Sequence, residues 1–489
     1  MAQDPILEAF DRQLRRHSQA SLVASPVASA SVADVDGLAR HAAAAPAARG
    51  LAAGTLVGIA AHDGVAFLAS YLALRRLGLV PVLLEPKAPT AERERTAESL
   101  GCGWVLACRR AWPTAPEDWH LTRWRSAGDP AADRVLSPEV GAVKLSSGST
   151  GRPRGIMASA EALAADEAAL ARSMGLADDE RILAAIPMSH SYGLSSVALP
   201  ALVRGSLLVV SRPGGGPMGP LRAAHALGAT YFPTVPAFLR ALVSPERPPR
   251  LPETLRLTVT AGAPLLPETA ARFREVYGRP VHVFYGSSET GGICFDREGG
   301  AGERGAVGEP VEGVRVALEP VESGEGTRAA GVVVVESPAV ADGYLPDGDP
   351  CLAGGRFRTG DLGRWHDGEL VLVGRTDDLI NVRGKKVNPR EVEEIVARLP
   401  GVQDVAALGT LDCGRGETTL RVVVACDPAE LTPETVIGWC RSRLAAHKVP
   451  RTVALVERIP RTSRGKIDRE ALLASNRPLP DDAFRSRVG

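Results

Sequence analysis

Short apolar blocks alternate with longer amphipathic stretches from the N-terminus to about residue 290. TLVGIAA (55–61), PVLLE (81–85) and WVLAC (104–108) have the length and continuity of strands buried on both faces, and the stretch 64–78 reads as a helix between the first two. The alternation continues through RILAAIP (181–187), SLLVVS (206–211), TYFPTV (230–235), LRLTVTA (255–261) and PVHVFYG (280–286). This pattern predicts βα units around a largely parallel sheet. Residues 1–50, rich in Ala, Ser and Arg, are weakly periodic and predict one or two helices with a loose edge.

After about residue 300 the texture changes. GVRVALEP and GVVVVES predict a small β-rich piece, and the polar, glycine-containing GRTDDLINVRGKK (374–386) interrupts the pattern. Beyond it, Asn388 predicts a helix cap, with Pro389 at the first helical position and Glu391 at the third as a capping box. Val392, Ile395, Val396 and Leu399 then share one face, and Gly401 stops the helix. Strands at VAALG and LRVVVAC and a helix from Thr432 to about Ala446 complete a C-terminal α+β domain. The predicted organisation is therefore α/β: a large N-terminal domain over 1–374, with sheets flanked by helices, and a small C-terminal domain over 375–489.

Charge and composition narrow the function classes. The 489 residues carry 57 basic and 57 acidic side chains, so the electrostatic footprint of a nucleic-acid binder is missing. A hydrophobic content of 45% marks a globular chain. No apolar run reaches the ~18 residues of a membrane span, and no basic start leads into an apolar core as a secretory signal would. The seven cysteines form no CxxC pair and read as buried or free thiols in a reducing cytoplasm, not a disulfide frame or zinc site. Only six basic residues are lysines: Lys87, Lys144, Lys385, Lys386, Lys448 and Lys466. In a chain whose default cation is arginine, a lysine in a glycine-rich loop asks for a reason.

Five segments could carry chemistry, and each also has a plain structural reading. KLSSGSTGRPRG (144–155) combines glycines with hydroxyls, which suits either a solvent loop or a cradle of backbone N–H groups around phosphate oxygens; it lacks the Gly-Lys-Ser/Thr of the common P-loop. FYGSSETGG (284–292) puts Glu289 just past a predicted strand, either as a solvated turn residue or as a hard oxygen ligand for Mg²⁺, with Tyr285 offering a flat face to a base. RTGDLGRW (358–365) is a turn whose Asp361 can accept from two ribose hydroxyls. GRTDDLINVRGKKVNPREVEEI (374–395) reads as an interdomain loop or a hinge. IPRTSRGKIDREAL (459–472) carries Lys466 after Gly465, either in solvent or delivering a compact positive charge to an oxyanion.

Taken in order and spacing, these segments resemble the adenylate-forming superfamily of acyl-CoA synthetases, nonribosomal peptide adenylation domains and luciferases, from about residue 55 to 475. The resemblance implies a large N-terminal domain with a small C-terminal lid that swivels. It also implies ATP-dependent conversion of a carboxylic acid to an acyl-adenylate, then attack by a thiol. By the same resemblance Ser146, Ser147, Gly148, Ser149, Thr150 and Gly151 form the phosphate loop. Gly262, Ala263 and Pro264 form the turn beside adenine, and Tyr285, with Gly286 and Ser287, the adenine-stacking segment. Ser288 contacts phosphate, and Glu289, helped by Thr150, holds Mg²⁺. Asp361 and Arg375 bind ribose, Asp377 is the hinge, Gly384 with Lys385 and Lys386 faces the thiol tunnel, and Lys466 bridges carboxylate and α-phosphate.

Two positions depart from the family's motifs. Arg154 stands where the phosphate loop usually has lysine, and Arg464 where the final loop usually has serine. IPMSHSYGLSS (186–196) corresponds to the segment in which amino-acid-activating relatives carry an aspartate for the α-ammonium; none is present, and His190 is a candidate for lining the acyl site with Val235, Pro236 and Gly262. The expected acceptor is coenzyme A, with the phosphopantetheine of an acyl carrier protein as the alternative and a luciferase-type oxygenase as the rival of another class. Neither nucleic acid nor a membrane span is expected among its partners.

Overall fold

The computed structural model describes the chain apart from residues 1–3, 87, 125–133, 147–153, 212–215, 217, 321–329, 347, 377–379, 383–384, 413–416, 428–429, 462–466 and 475–489. The chain divides into two compact units. The first comprises Met1–Ala317, Val334–Thr359 and Trp365–Val371; the second comprises Leu318–Val333, Gly360–Arg364 and Leu372–Gly489.

Two mixed sheets organise the first unit. In the seven-stranded sheet Leu56–Ala61 is the buried centre, hydrogen-bonded in parallel to Val80–Leu83 on one side and Trp104–Cys108 on the other. The intervening helix Val65–Arg76 is covered almost all round, as its largely apolar sequence requires. Trp119–Arg123 closes one end antiparallel to Trp104–Cys108, and the other end runs through Val140–Leu145, Gly155–Ser159 and Gly343–Leu345. The nine-stranded sheet contains a parallel core of Arg181–Leu183, Tyr231–Thr234, Leu257–Thr260 and His282–Ser287, and then turns antiparallel at Gly291–Phe295. Its other edge is the hairpin Ser21–Ser25 and Ala28–Ser31.

The α/β class holds, and local details differ. The N-terminal region forms helices Pro5–His17 and Val32–Ala48, but the residues between them are strands. Ser- and Ala-rich sequence has little intrinsic preference for a strand; parallel pairing of Val23 and Ala24 with Leu208 and Val209 supplies it. The phosphate-loop segment connects two antiparallel strands, Val140–Leu145 and Gly155–Ser159, and helix Ala160–Met174 follows the second of them.

The second unit contains the three-stranded sheet Asp404–Asp412, Glu417–Ala425 and Thr452–Val456, and helices Pro389–Ala397, Pro433–Arg441 and Arg469–Ala474. Val392 and Val396 pack against Val405, Leu420, Val422, Val424, Val436 and Cys440. Asn388 caps the first helix through the Arg390 N–H at 3.0 Å, but no capping box forms. Glu391 instead accepts from Lys448 Nζ with both oxygens at 2.7 Å, a stronger charge-assisted contact than a backbone N–H. This helix ends at Ala397, before Gly401, and the later helix ends at Arg441 where Leu444 N–H turns back onto Cys440 O.

Among the described residues no helix is long and apolar enough to cross a membrane.

Candidate active site

Three adjacent parallel strands of the nine-stranded sheet end in turns that carry predicted residues. Tyr231–Thr234 leads into Val235 and buried Pro236; Leu257–Thr260 leads into Gly262, Ala263 and Pro264; and Tyr285, Gly286 and Ser287 close His282–Ser287, with Ser288 and Glu289 just beyond. The carboxyl ends of parallel strands are where open α/β sheets bind ligands. Gly262 has φ +82° and open space around its α-carbon, and the Gly262–Pro264 turn is exposed. Tyr285 is buried, whereas Ser287, Ser288 and Glu289 are half-buried.

The Glu289 turn is held from several sides. Ser287 Oγ accepts the backbone N–H groups of Glu289 and Thr290, each at 3.2 Å. Glu289 O accepts from Ala341 N–H at 2.7 Å, and Tyr344 Oη donates to Glu289 Oε1 at 2.9 Å. Burial first, and then the Glu289 carboxylate, hold the Tyr344 phenol well above its ordinary range, so it remains a donor. The next residue but one, Gly291, has φ +67°, and a Cβ there would lie 2.2 Å from Asp166 Oδ1. Only glycine combines that backbone with that close approach.

Two buried titratable side chains, Asp166 and Lys144, lie near this turn. Asp166, on helix Ala160–Met174, accepts from Gly292 N–H at 2.9 Å and from Ser195 Oγ at 2.5 Å. Lys144, 3% exposed, feels the charges of Asp166, Glu289 and Asp342. Desolvation pushes the lysine down and the aspartate up, and each partner opposes the other's shift.

The 186–196 segment meets the same turn. Ser191 Oγ donates to Ser288 Oγ at 2.8 Å, and His190 Nε2 lies 3.0 Å from Glu85 Oε2. Tyr192 donates to Val259 O at 3.1 Å, and a π-helical stretch, Leu194–Ala198, follows, a departure from regular helix that is common at functional sites. The segment therefore meets the Ser288–Glu289 turn through Ser191, while the neighbouring His190 is held by Glu85.

At the phosphate-loop segment, Ser146 N–H donates to Arg154 O at 2.9 Å, and Arg154 N–H donates to Ser146 Oγ at 3.2 Å. Ser147, Gly148, Ser149, Thr150 and Gly151 lie outside the described residues, as do Asp377, Gly384 and Lys466. In the second unit Arg375 Nη1 donates to Asp361 Oδ1 at 3.0 Å, bringing the two predicted ribose partners together. Lys385 and Lys386 lie in strand Lys385–Val387, paired with Ile380–Val382.

Sequence reasoning missed Tyr344, Asp166 and Glu85. Only Glu85 carried a signal: a carboxylate directly after the apolar block VLL.

The protein-family model described as AMP-binding enzyme matches residues 10–345, and the model described as AMP-binding enzyme C-terminal domain matches residues 391–466. The chain is 31% identical over 390 residues to a feruloyl-CoA synthase of an Amycolatopsis species, covering 77% of this chain and 76% of that one. It is 30% identical over 359 residues to an oxalate–CoA ligase of Arabidopsis thaliana, covering 70% and 69%. The crystal structure of ATP-bound MatB from Rhodopseudomonas palustris matches with a TM-score of 0.80 over 96% of this chain and 98% of that one; at 24% identity this is a likeness of fold.

Proposed function

Since the chain belongs to the AMP-binding enzyme family and is an enzyme of the AMP-forming acyl-CoA ligase type, we propose that it joins a carboxylic acid to coenzyme A through an acyl-adenylate. The observation that carries this reading is the convergence of the Val235, Gly262 and Glu289 turns at the carboxyl ends of three adjacent parallel strands.

Each residue then has a role. The Gly262–Pro264 turn and Tyr285 border the adenine, Ser288 contacts phosphate, and Asp361 with Arg375 takes the ribose hydroxyls. Ser146 to Gly151 wrap the triphosphate, and Lys466 steadies the carboxylate against the α-phosphate as negative charge moves onto pyrophosphate. The turn at 287–290, with three hydroxyls and the Glu289 carboxylate, suits a hard cation. Glu289, with Thr150, would hold Mg²⁺, which neutralises pyrophosphate charge when bound.

On the acid side, His190, Val235, Pro236 and Gly262 border the acyl group. The 186–196 segment has no aspartate, so an α-ammonium would be buried there without its partner, at a large cost. This favours simple aliphatic or aryl acids over amino acids. For the thiol, Asp377 serves as the hinge between half-reactions, and Gly384 with Lys385 and Lys386 borders the thiol path, two lysines suiting the phosphates of CoA. The feruloyl-CoA synthase and the oxalate–CoA ligase are both named for CoA chemistry, which supports CoA over a carrier protein.

The test is pyrophosphate release across a panel of aliphatic, aryl and amino acids, followed by thioester formation with free CoA or a phosphopantetheinylated carrier protein. A simple acid is expected to release pyrophosphate and yield its CoA thioester. Robust turnover of a standard amino acid overturns the substrate class; loading of the carrier without CoA thioester overturns the acceptor; and oxygen consumption coupled to the adenylate establishes the oxygenase instead.

A further inference from the structure

Arg154 closes the mouth of the phosphate-loop segment through its backbone, but its side chain leads elsewhere. The guanidinium carbon sits 3.8 Å from the centre of the Tyr344 ring, and Nη1 donates to Asp349 Oδ2 at 3.1 Å. Tyr344 in turn donates to Glu289 Oε1 at 2.9 Å. Asp349, Arg154, Tyr344 and Glu289 therefore form one chain of contacts, with Asp349 fixing the plate that lies on the ring and the ring's hydroxyl fixing the carboxylate.

We propose that Arg154 is a positioning residue for Glu289, acting through the Tyr344 ring. This deepens the function proposed above and rests on its assignment of Glu289 to Mg²⁺. Three physical points carry it. A guanidinium is planar and weakly hydrated, so it can lie flat on an aromatic face while its edge serves a carboxylate; an ammonium cannot do both. A cation on the ring face draws electron density from the phenol and strengthens its O–H as a donor to Glu289. Glu289 is only half-buried, and a carboxylate there without the Tyr344 bond would sample several rotamers. Arginine at this place, where the similar motif has lysine, is then a functional choice and not merely a reflection of arginine-rich composition.

ATP affinity, measured by calorimetry without acid substrate, in Mg²⁺ and in EDTA, tests the proposal. The proteins compared are wild type, Arg154→Lys, Arg154→Gln, Tyr344→Phe and the Arg154→Gln/Tyr344→Phe double variant, each checked by thermal melting. The gain in affinity that Mg²⁺ gives wild type is expected to fall roughly tenfold in every single variant, the size of one charge-assisted hydrogen bond. The EDTA affinity is expected to stay near wild type, and the double variant to be no worse than the singles, because both substitutions break one chain. If Arg154→Gln fails to fold, Arg154→Lys and Tyr344→Phe decide the matter.

A full Mg²⁺ gain in Arg154→Lys overturns the proposal. So does equal weakening of Arg154→Gln with and without Mg²⁺ while Tyr344→Phe is unaffected, which marks direct phosphate contact. Absence of any Mg²⁺ gain in wild type instead refutes the Glu289 assignment itself, and this proposal with it.

Discussion

Gly291→Ala is expected to disable the site by moving the ground under Glu289. Two costs add. At φ +67° an alanine pays roughly 1–2 kcal/mol for its left-handed backbone. Its Cβ would also lie 2.2, 2.3 and 2.6 Å from Asp166 Oδ1, Cγ and Oδ2, so the carboxylate must retreat. Retreat breaks the buried bond from Gly292 N–H, and leaving a buried group unsatisfied costs about 1–3 kcal/mol. The sum is roughly 2–5 kcal/mol, a large share of the ~5–15 kcal/mol that typically holds a domain folded. Urea unfolding followed by circular dichroism reads the loss, and ATP–pyrophosphate exchange reads the displaced turn. In an Asp166→Ala background the obstruction is gone, so the same substitution should cost only its backbone share of about 1–2 kcal/mol. A loss below about 1 kcal/mol in the wild-type background, or strict additivity in the double variant, would falsify the account of why glycine stands here.

Three further outcomes follow from the same reading. Lys466→Ala should abolish acyl-adenylate formation while sparing thioester formation from supplied acyl-adenylate; equal loss of both half-reactions contradicts its role. Asp377→Pro fixes φ near −65°, so adenylation should survive and thiol transfer fall steeply, and normal overall turnover refutes the hinge. Lys144→Met removes a charge that opposes the rise of the Asp166 carboxyl, so that group titrates still higher in the folded variant. A raised carboxyl contributes stability below its unfolded value of about 3.9 and loses it as pH rises through the folded value. The variant should therefore weaken relative to wild type as pH rises above the ordinary carboxylate range; a stability difference independent of pH in urea unfolding contradicts this.

The elements legible in the sequence were those whose signal is local. Leu56–Ala61, Trp104–Cys108 and the helix between them announce themselves as continuous apolar runs, and the Glu289 turn announces itself by hydroxyls around a carboxylate. What was missed depends on distant partners. Tyr344 reaches Glu289 across 55 positions, and Asp166 reaches Gly292 across 126, so neither contact leaves a trace in spacing. The Ser21–Ser31 hairpin was missed for the same reason, being a strand pair only because Leu207–Val209 lies beside it. The expected capping box failed because Lys448, remote in sequence, offered Glu391 a stronger donor than the helix backbone did.

The three strand-end turns have an implication for redesign. Val235, Gly262 and Ser288 each stand just past a registered strand, and each belongs to a separate stretch of chain. Strand register is fixed by Tyr231–Thr234 and Leu257–Thr260 pairing residue for residue, upstream of the turns. If Val235 and Gly262 border the acid as proposed, a combinatorial library confined to them would vary that rim while leaving sheet geometry and the Glu289 turn intact. Small hydrophobic diversity is the productive choice at Val235, whereas Gly262, with its positive φ, should tolerate little beyond asparagine or aspartate. Acid preference in this scaffold is thus expected to evolve mainly through one of those two positions, with the other held nearly constant by backbone geometry.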